Sequence, residues 1–272
     1  MQPLPKSLEK FIHTIQTELP ILLGETLFGL YVYGSISYNA FDRRKSDVDI
    51  IAVLHRPLND LELKKIRKFY KTRLDQDWVK RLEMDYVVLS SLKDFSLALK
   101  NGFKATHLAH GTLHRNAFSD GGNPLNWLNI YQTGIALFGP LPKKFVPVIS
   151  EKIILAGQRR AFDEMKSLYH KWMKRDLWHQ VYMVVMMNRI ACALRTGRIL
   201  SKAAAAQWGL KNLPHQFRPL MSITLKKIAN PKGKPLKEIT AALPELMEYV
   251  DMLFKKKSGL KARFVKISSR GT

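Results

Sequence analysis

The chain has 272 residues, 46% of them hydrophobic and 10% aromatic, and 45 Lys and Arg against 22 Asp and Glu give a formal charge of +23. This length and composition supply a core for one large domain or two ordinary ones and exclude a disordered chain. The single cysteine, Cys192, excludes an intramolecular disulfide and fits a reducing compartment, and the excess of cations favours anionic partners such as nucleotides or nucleic acid.

The N-terminal stretch SLEKFIHTIQTEL reads as a helix. Ser7 is placed to cap it, and Leu8, Phe11, Ile12, Ile15 and Leu19 keep helical spacing. Two glutamates and the lack of an uninterrupted apolar core set it apart from a signal peptide. LFGLYVY and VDIIAVL are β-branched and aromatic runs, hence strands, NDLELKKIRKFYKTRL is helical, and RLEMDYVVL returns to strand. LNWLNIYQTG reads as a short helix stopped by Gly134, and IALFGPLP as a strand ended by Gly-Pro. From about residue 150 only helical segments follow. The clearest, DLWHQVYMVVMMNRIACALRTG, is mostly apolar and stops at Gly197. Pro244 is expected to kink or break the last helix.

The expected fold class is therefore α+β. A small mixed sheet with helices over 1–150 precedes an all-α bundle over 151–257, and 258–272 form a loosely held basic tail. No run approaches the ~18 apolar residues of a membrane span, so the protein is expected to be cytoplasmic.

The segment YGSISYNAFDRRKSDVDIIAV carries the chemistry. Strand alternation puts Asp47 and Asp49 on one face, with Val48 and Ile50 on the other. Two like charges at that spacing repel, and a hard cation relieves them: Mg²⁺ takes carboxylate oxygens together with substrate phosphates. Gly34 and Ser35 at the end of the preceding strand let backbone and hydroxyl donors approach a phosphate. A carboxylate from a neighbouring strand would complete a two-metal site, and RLEMDYVVL offers Glu83 and Asp85, again on one face. His107, His110 and His114 have spacings that could suit a metal, but no cysteine accompanies them and they read as ordinary loop or surface residues. The methionines of YMVVMMN read as core. Trp172, Trp178 and Trp208 read as packing residues, with Trp172 or Trp178 also able to line a cleft between domains. SKAAAAQWGLKNLP lacks the paired helices and polar base contacts of a DNA reader.

The Gly-Ser, an eleven-residue spacer and Asp-Val-Asp together resemble the nucleotidyltransferase superfamily of DNA polymerase β type. NRIACALRTGRILSKAAAAQWGLKNLP is similar to the C-terminal helical domain of the aminoglycoside adenylyltransferases acting on streptomycin and spectinomycin. The matching residues are Arg189, Thr196-Gly197, Ile199, Lys202, Ala205-Ala206, Trp208 and Leu213-Pro214. TGIALFGPLP resembles the linker between that family's domains.

The resemblance implies Mg²⁺-dependent transfer of a nucleoside monophosphate, AMP from ATP, to a hydroxyl of a small acceptor of the aminoglycoside antibiotic type. Asp47 and Asp49 would hold the metal. Glu83 would take the proton, with Asp85 the other residue able to do so. Gly34, Ser35, Arg189 and Lys202 would contact the nucleotide phosphates. Nucleotide and acceptor would meet in the cleft between the domains of a monomer. Arg189 sits on an otherwise apolar helix and needs a partner there, either a triphosphate or an internal salt bridge. One departure is chemical. The family's acid ten residues before Arg189 is His179 here, and only Asp176 is a carboxylate nearby. A polycation suits such a site poorly. Modification of a protein or RNA, and nucleic-acid binding without catalysis on the same fold, therefore stand as alternatives.

Overall fold

The computed structural model describes residues 3–101, 104–118 and 123–268. The chain divides into two compact units, Met1–Ile153 and Ile154–Thr272.

In the first unit, α1 (Lys6–Leu23) begins one residue before the expected cap, behind Pro5, whose restricted φ suits a helix entry. Ser7 lies inside the helix, where its Oγ accepts a hydrogen bond from Trp78 Nε1 at 3.2 Å. There follow β1 (Leu27–Tyr33), the single turn α2 (Gly34–Ser37), β2 (Val48–Leu54), α3 (Asp60–Thr72), α4 (Gln76–Val79) and β3 (Leu82–Val88). Next come α5 (Phe95–Asn101), β4 (Lys104–Ala109), β5 (Thr112–Phe118), α6 (Pro124–Thr133) and β6 (Ile135–Phe138). The six strands form one mixed sheet in the order β5-β4-β3-β2-β1-β6. Only β2 and β3 pair in parallel, and α3 and α4 supply the crossover that such a pair requires.

Strand period sorts the side chains into two faces. Leu30, Val32, Val48, Ile50, Ala52, Leu82, Met84 and Tyr86 share a core with Leu8, Phe11, Ile15 and Leu19 of α1 and Leu63, Ile66 and Phe69 of α3. Tyr31, Tyr33, Ile51, Val53 and Val87 pack on the other face with Trp127 and Ile130 of α6. The crossover helix α3 starts with a full capping box: Asn59 Oδ1 accepts from the Glu62 backbone N–H at 2.9 Å, and Glu62 Oε2 accepts from the Asn59 N–H at 2.8 Å. Glu62 also accepts from Thr26 Oγ1–H at 2.7 Å and from both terminal guanidinium nitrogens of Arg56. Burial pushes the Glu62 carboxyl up, but these donors outweigh it and hold the group at about 2.

The β4–β5 hairpin was not anticipated. Its two-residue turn is His110-Gly111, with φ of 50° and 76°, the left-handed pair that suits a tight hairpin.

In the second unit, α7 (Glu151–Met173), α8 (Leu177–Thr196), α9 (Lys202–Asn212), α10 (Arg218–Lys227) and α11 (Lys237–Ser268) form the helical bundle. α8 is its centre, with Val181, Met183, Val184, Val185, Met187, Ile190 and Leu194 all buried, which explains its apolar sequence on every side. Gly197 ends it in the left-handed conformation, φ 70°. Pro244 does not break the last helix: α11 runs unbroken through it to Ser268. Buried Ile239, Leu243, Leu246, Val250 and Phe254 keep one stripe against the bundle, and that packing offsets the lost backbone hydrogen bond. Residues 258–268 of the expected tail therefore belong to α11, and 269–272 lie outside the described residues. No helix among the described residues is long and apolar enough to cross a membrane.

Candidate active site

The polar end of the second sheet face gathers the first unit's chemical side chains. β2 begins at Val48, so Asp47 stands on the exposed residue just ahead of the strand, and only Asp49 lies within it. In the parallel pair, Asp49 is the register partner of Glu83, and Ile51 that of Asp85. On the other side Asp49 faces Tyr33, the last residue of β1. Asp49 and Glu83 are half-buried, whereas Asp85 is 3% exposed.

Asp85 is engaged: its Oδ1 lies 2.6 Å from His107 Nδ1 on β4, its register partner. His107 in turn faces His114 on β5. A carboxylate that buried demands such a counterpart. Glu83, half-buried, is the carboxylate in register with Asp49. Among the described residues, no three His, Cys, Asp or Glu side chains converge as a metal-ligand set, so the third carboxylate does not close a protein-only cage with Asp47 and Asp49.

Gly34 and Ser35 do not extend β1; they open the α2 turn. Gly34 has φ 67°, and a Cβ at that position would overlap the Asp49 carboxylate. Both facts require glycine. The Gly34 N–H donates to Asn129 Oδ1 at 3.1 Å, and Asn129 Nδ2 donates to Thr133 Oγ1 at 2.8 Å. The Ser37 hydroxyl bridges the Gly34 carbonyl and Thr133 Oγ1, each at 3.1 Å. Asn129, 4% exposed on α6, thus fixes the turn from below. Sequence reading did not find Asn129 or Thr133; their i,i+4 spacing was the one available signal. Ser35 Oγ is buried and has no hydrogen-bond partner among the described residues. An orphan donor at a turn is costly by about 1–3 kcal/mol unless a ligand oxygen completes it.

The loop before β2 is folded locally. Asp42 Oδ1 accepts from the Arg44 N–H and Ser46 Oγ from the Asp42 N–H, both at 2.9 Å. The Arg44 backbone N–H, with Arg44 and Lys45 charges, holds the Asp42 carboxyl below the usual range. Arg81 closes the loop, donating to the Arg43 carbonyl at 2.8 Å and to the Ser46 carbonyl.

The second unit carries Arg189 and Lys202. Arg189 is half-buried on α8, and among the described residues its guanidinium meets only Met186 Sδ, at 3.8 Å. The internal salt bridge considered for it is not formed there. Lys202 is exposed on the first turn of α9, behind the Ser201 cap, with Nζ 5.3 Å from the Tyr182 ring centre. Tyr182 stacks on Trp178 at 5.1 Å, and Trp178 is 45% exposed. Asp176, the one carboxylate near the start of α8, caps that helix and accepts from His179 through both backbone N–H and Nδ1. Those contacts oppose burial and hold its carboxyl low.

Residues 156–254 match the family model of the aminoglycoside adenylyltransferase C-terminal domain. The chain is 25% identical over 213 residues to the spectinomycin 9-adenylyltransferase of Staphylococcus aureus, spanning 75% of this chain and 79% of that one. It is also 25% identical over 118 residues to the aminoglycoside (3'') (9) adenylyltransferase of Rhizobium radiobacter, 43% of this chain and 41% of that one. Among solved structures, the spectinomycin adenyltransferase from Enterococcus faecialis with ATP and spectinomycin has the same fold. Its TM-score is 0.62 at 16% identity, covering 91% of this chain and 99% of that one.

Proposed function

We propose that the chain, which is similar to the aminoglycoside adenylyltransferases, is a nucleotidyltransferase that transfers AMP from ATP to a hydroxyl of a small antibiotic of the spectinomycin or streptomycin class. The observation that carries this reading is the register of Asp49 against Glu83 beside the left-handed Gly34 turn, in a chain whose helical unit matches that family.

In this reading Gly34 and the orphan Ser35 hydroxyl meet the triphosphate, and Arg189 and Lys202 balance its charge. A triphosphate also gives the half-buried Arg189 the anionic partner it lacks among the described residues. Glu83 takes the proton of the acceptor hydroxyl, whose oxygen forms the bond to the α-phosphorus as pyrophosphate leaves. Asp85, committed to His107, holds that imidazole and does not act as the base. Asp47 and Asp49 fit Mg²⁺: both offer hard oxygens, Asp47 is exposed, and this ion is commonly held by one or two carboxylates plus substrate phosphates. When bound, the metal supplies charge stabilisation at the phosphates. The protein acts as a cytoplasmic monomer.

Asp176 is spent on His179, which favours an acceptor with few cationic groups over a polyamine, and it keeps a macromolecular acceptor as a second reading. The test is transfer from α-labelled ATP with Mg²⁺ to spectinomycin, streptomycin, RNA or lysate protein. Label in a drug is the expected result. Label in RNA or protein supports the second reading, and no transfer to any of them overturns both.

A further inference from the structure

The reaction above leaves the charge of +23 unexplained, and one part of it is organised. Of the helical residues from Lys64 to Lys71, five are basic and exposed: Lys64, Lys65, Arg67, Lys68 and Lys71. They occupy the solvent side of α3, whose other side buries Leu63, Ile66, Phe69 and Tyr70. The two acids of this helix are already paired, Asp60 with Arg115 at 2.6 Å and Glu62 with Arg56 at 2.9 Å. None of the five cations makes an ion pair among the described residues. Like charges at i,i+3 and i,i+4 destabilise a helix, and here they recur as 64–67, 64–68, 65–68, 67–71 and 68–71 with no acid between them. The helix bears repulsion that its own fold does not relieve.

Its position separates it from the candidate active site. α3 packs on the sheet face of Ile50, Ala52, Met84 and Tyr86, opposite the face that carries Asp49, Glu83 and Asp85. These cations therefore cannot serve the nucleotide bound there.

We propose that this face of α3 docks a nucleic-acid phosphate backbone. A rigid row of cations on a helix matches a linear polyanion of fixed charge spacing. Four of the five are lysines, point charges suited to phosphate. Contacts from such cations to phosphate oxygens position a backbone without reading its bases, so the affinity expected here is mainly electrostatic and salt-dependent. A membrane surface is the poorer match, because Leu61 is the one large apolar side chain exposed on this helix.

The test compares two triple variants of equal charge change in the full chain. Lys64→Glu/Lys68→Glu/Lys71→Glu alters the stripe, and Lys226→Glu/Lys227→Glu/Lys232→Glu alters exposed lysines of the second unit. Binding to a labelled RNA hairpin is titrated across salt concentrations, with phosphatidylserine vesicles as a parallel probe. We expect the stripe variant to lose about tenfold or more in RNA affinity, and its log–log salt slope to shrink by about 3, one per phosphate contact removed. The second variant should lose markedly less, with a thermal melt showing that both variants are folded at the assay temperature. Equal losses in the two variants would reduce the effect to net charge and overturn the proposal. So would vesicle binding without RNA binding, or a wild type with no salt-sensitive RNA affinity. Adenylyl transfer is not needed for any of these readouts, so failure here and failure of the enzymatic reading are separate results.

Discussion

The two faces of strands β2 and β3 are built from alternate residues of the same two segments, yet they have different fates. One face is apolar from end to end: Val48, Ile50 and Ala52 beside Leu82, Met84 and Tyr86, all buried. The other begins with Asp49, Glu83 and Asp85 and becomes apolar only at Ile51, Val53 and Val87. Strand period alone produces this division. One face can be optimised for packing while the other carries like charges that packing would never select.

The comparison is most sharply tested at Asp49. Asp49→Asn should cost about 100–1,000-fold in nucleotidyl transfer, the scale of removing a preorganised charge-stabilising group. The variant should remain folded, so that the loss is one of chemistry and not of structure. A transfer assay paired with a thermal melt checks both. The neighbouring residue on the opposite face should behave inversely. Ile50→Ala should cost about 2–4 kcal/mol of stability through a cavity, read by urea unfolding, while the folded fraction keeps its transfer rate.

Between the two lies Gly34→Ala, which places a side chain at positive φ against the Asp49 carboxylate. It should cost about 1–2 kcal/mol in stability and lower transfer as well. Wild-type transfer by Gly34→Ala would contradict the turn's role.

The smallest effect concerns the crossover beneath the apolar face. Glu62 has a depressed folded value of about 2, against about 4.3 for an unperturbed glutamate. Its stabilisation is fully present above the unfolded value and is lost as pH falls through the folded one, from about 4.3 to about 2. Glu62→Gln should therefore lower stability by about 1–2 kcal/mol at neutral pH and flatten stability against pH in that window. Chemical unfolding at several pH values checks it.

The legibility of the fold follows the same physical lines. β1, β2 and β3 were readable because β-branched runs bounded by polar loops have few other outcomes, and α8 because its apolar content exceeds one face. The hairpin of β4 and β5 was not. His107, His110 and His114 interrupt its apolar pattern, and a His-Gly turn is a weak signal beside Asn-Gly. Helix ends were misjudged where local rules compete: Pro5 displaced Ser7 as the cap, and burial of Leu243 and Leu246 overrode the breaking tendency of Pro244. In the candidate site, the proximity of Asp49 and Glu83 could be read from alternation on two strands. The hold of Asn129 on Gly34, 95 residues away, and the pairing of Asp85 with His107 depend on tertiary register, which no local pattern encodes.

The central claim is that the carboxylate end of the second face performs the chemistry, with Glu83 taking the proton. Single-turnover transfer from α-labelled ATP to spectinomycin by Glu83→Gln tests it most directly. The predicted result is a rate lowered by about 100-fold or more, with ATP affinity and melting temperature unchanged. Transfer at the wild-type rate by that variant would contradict it.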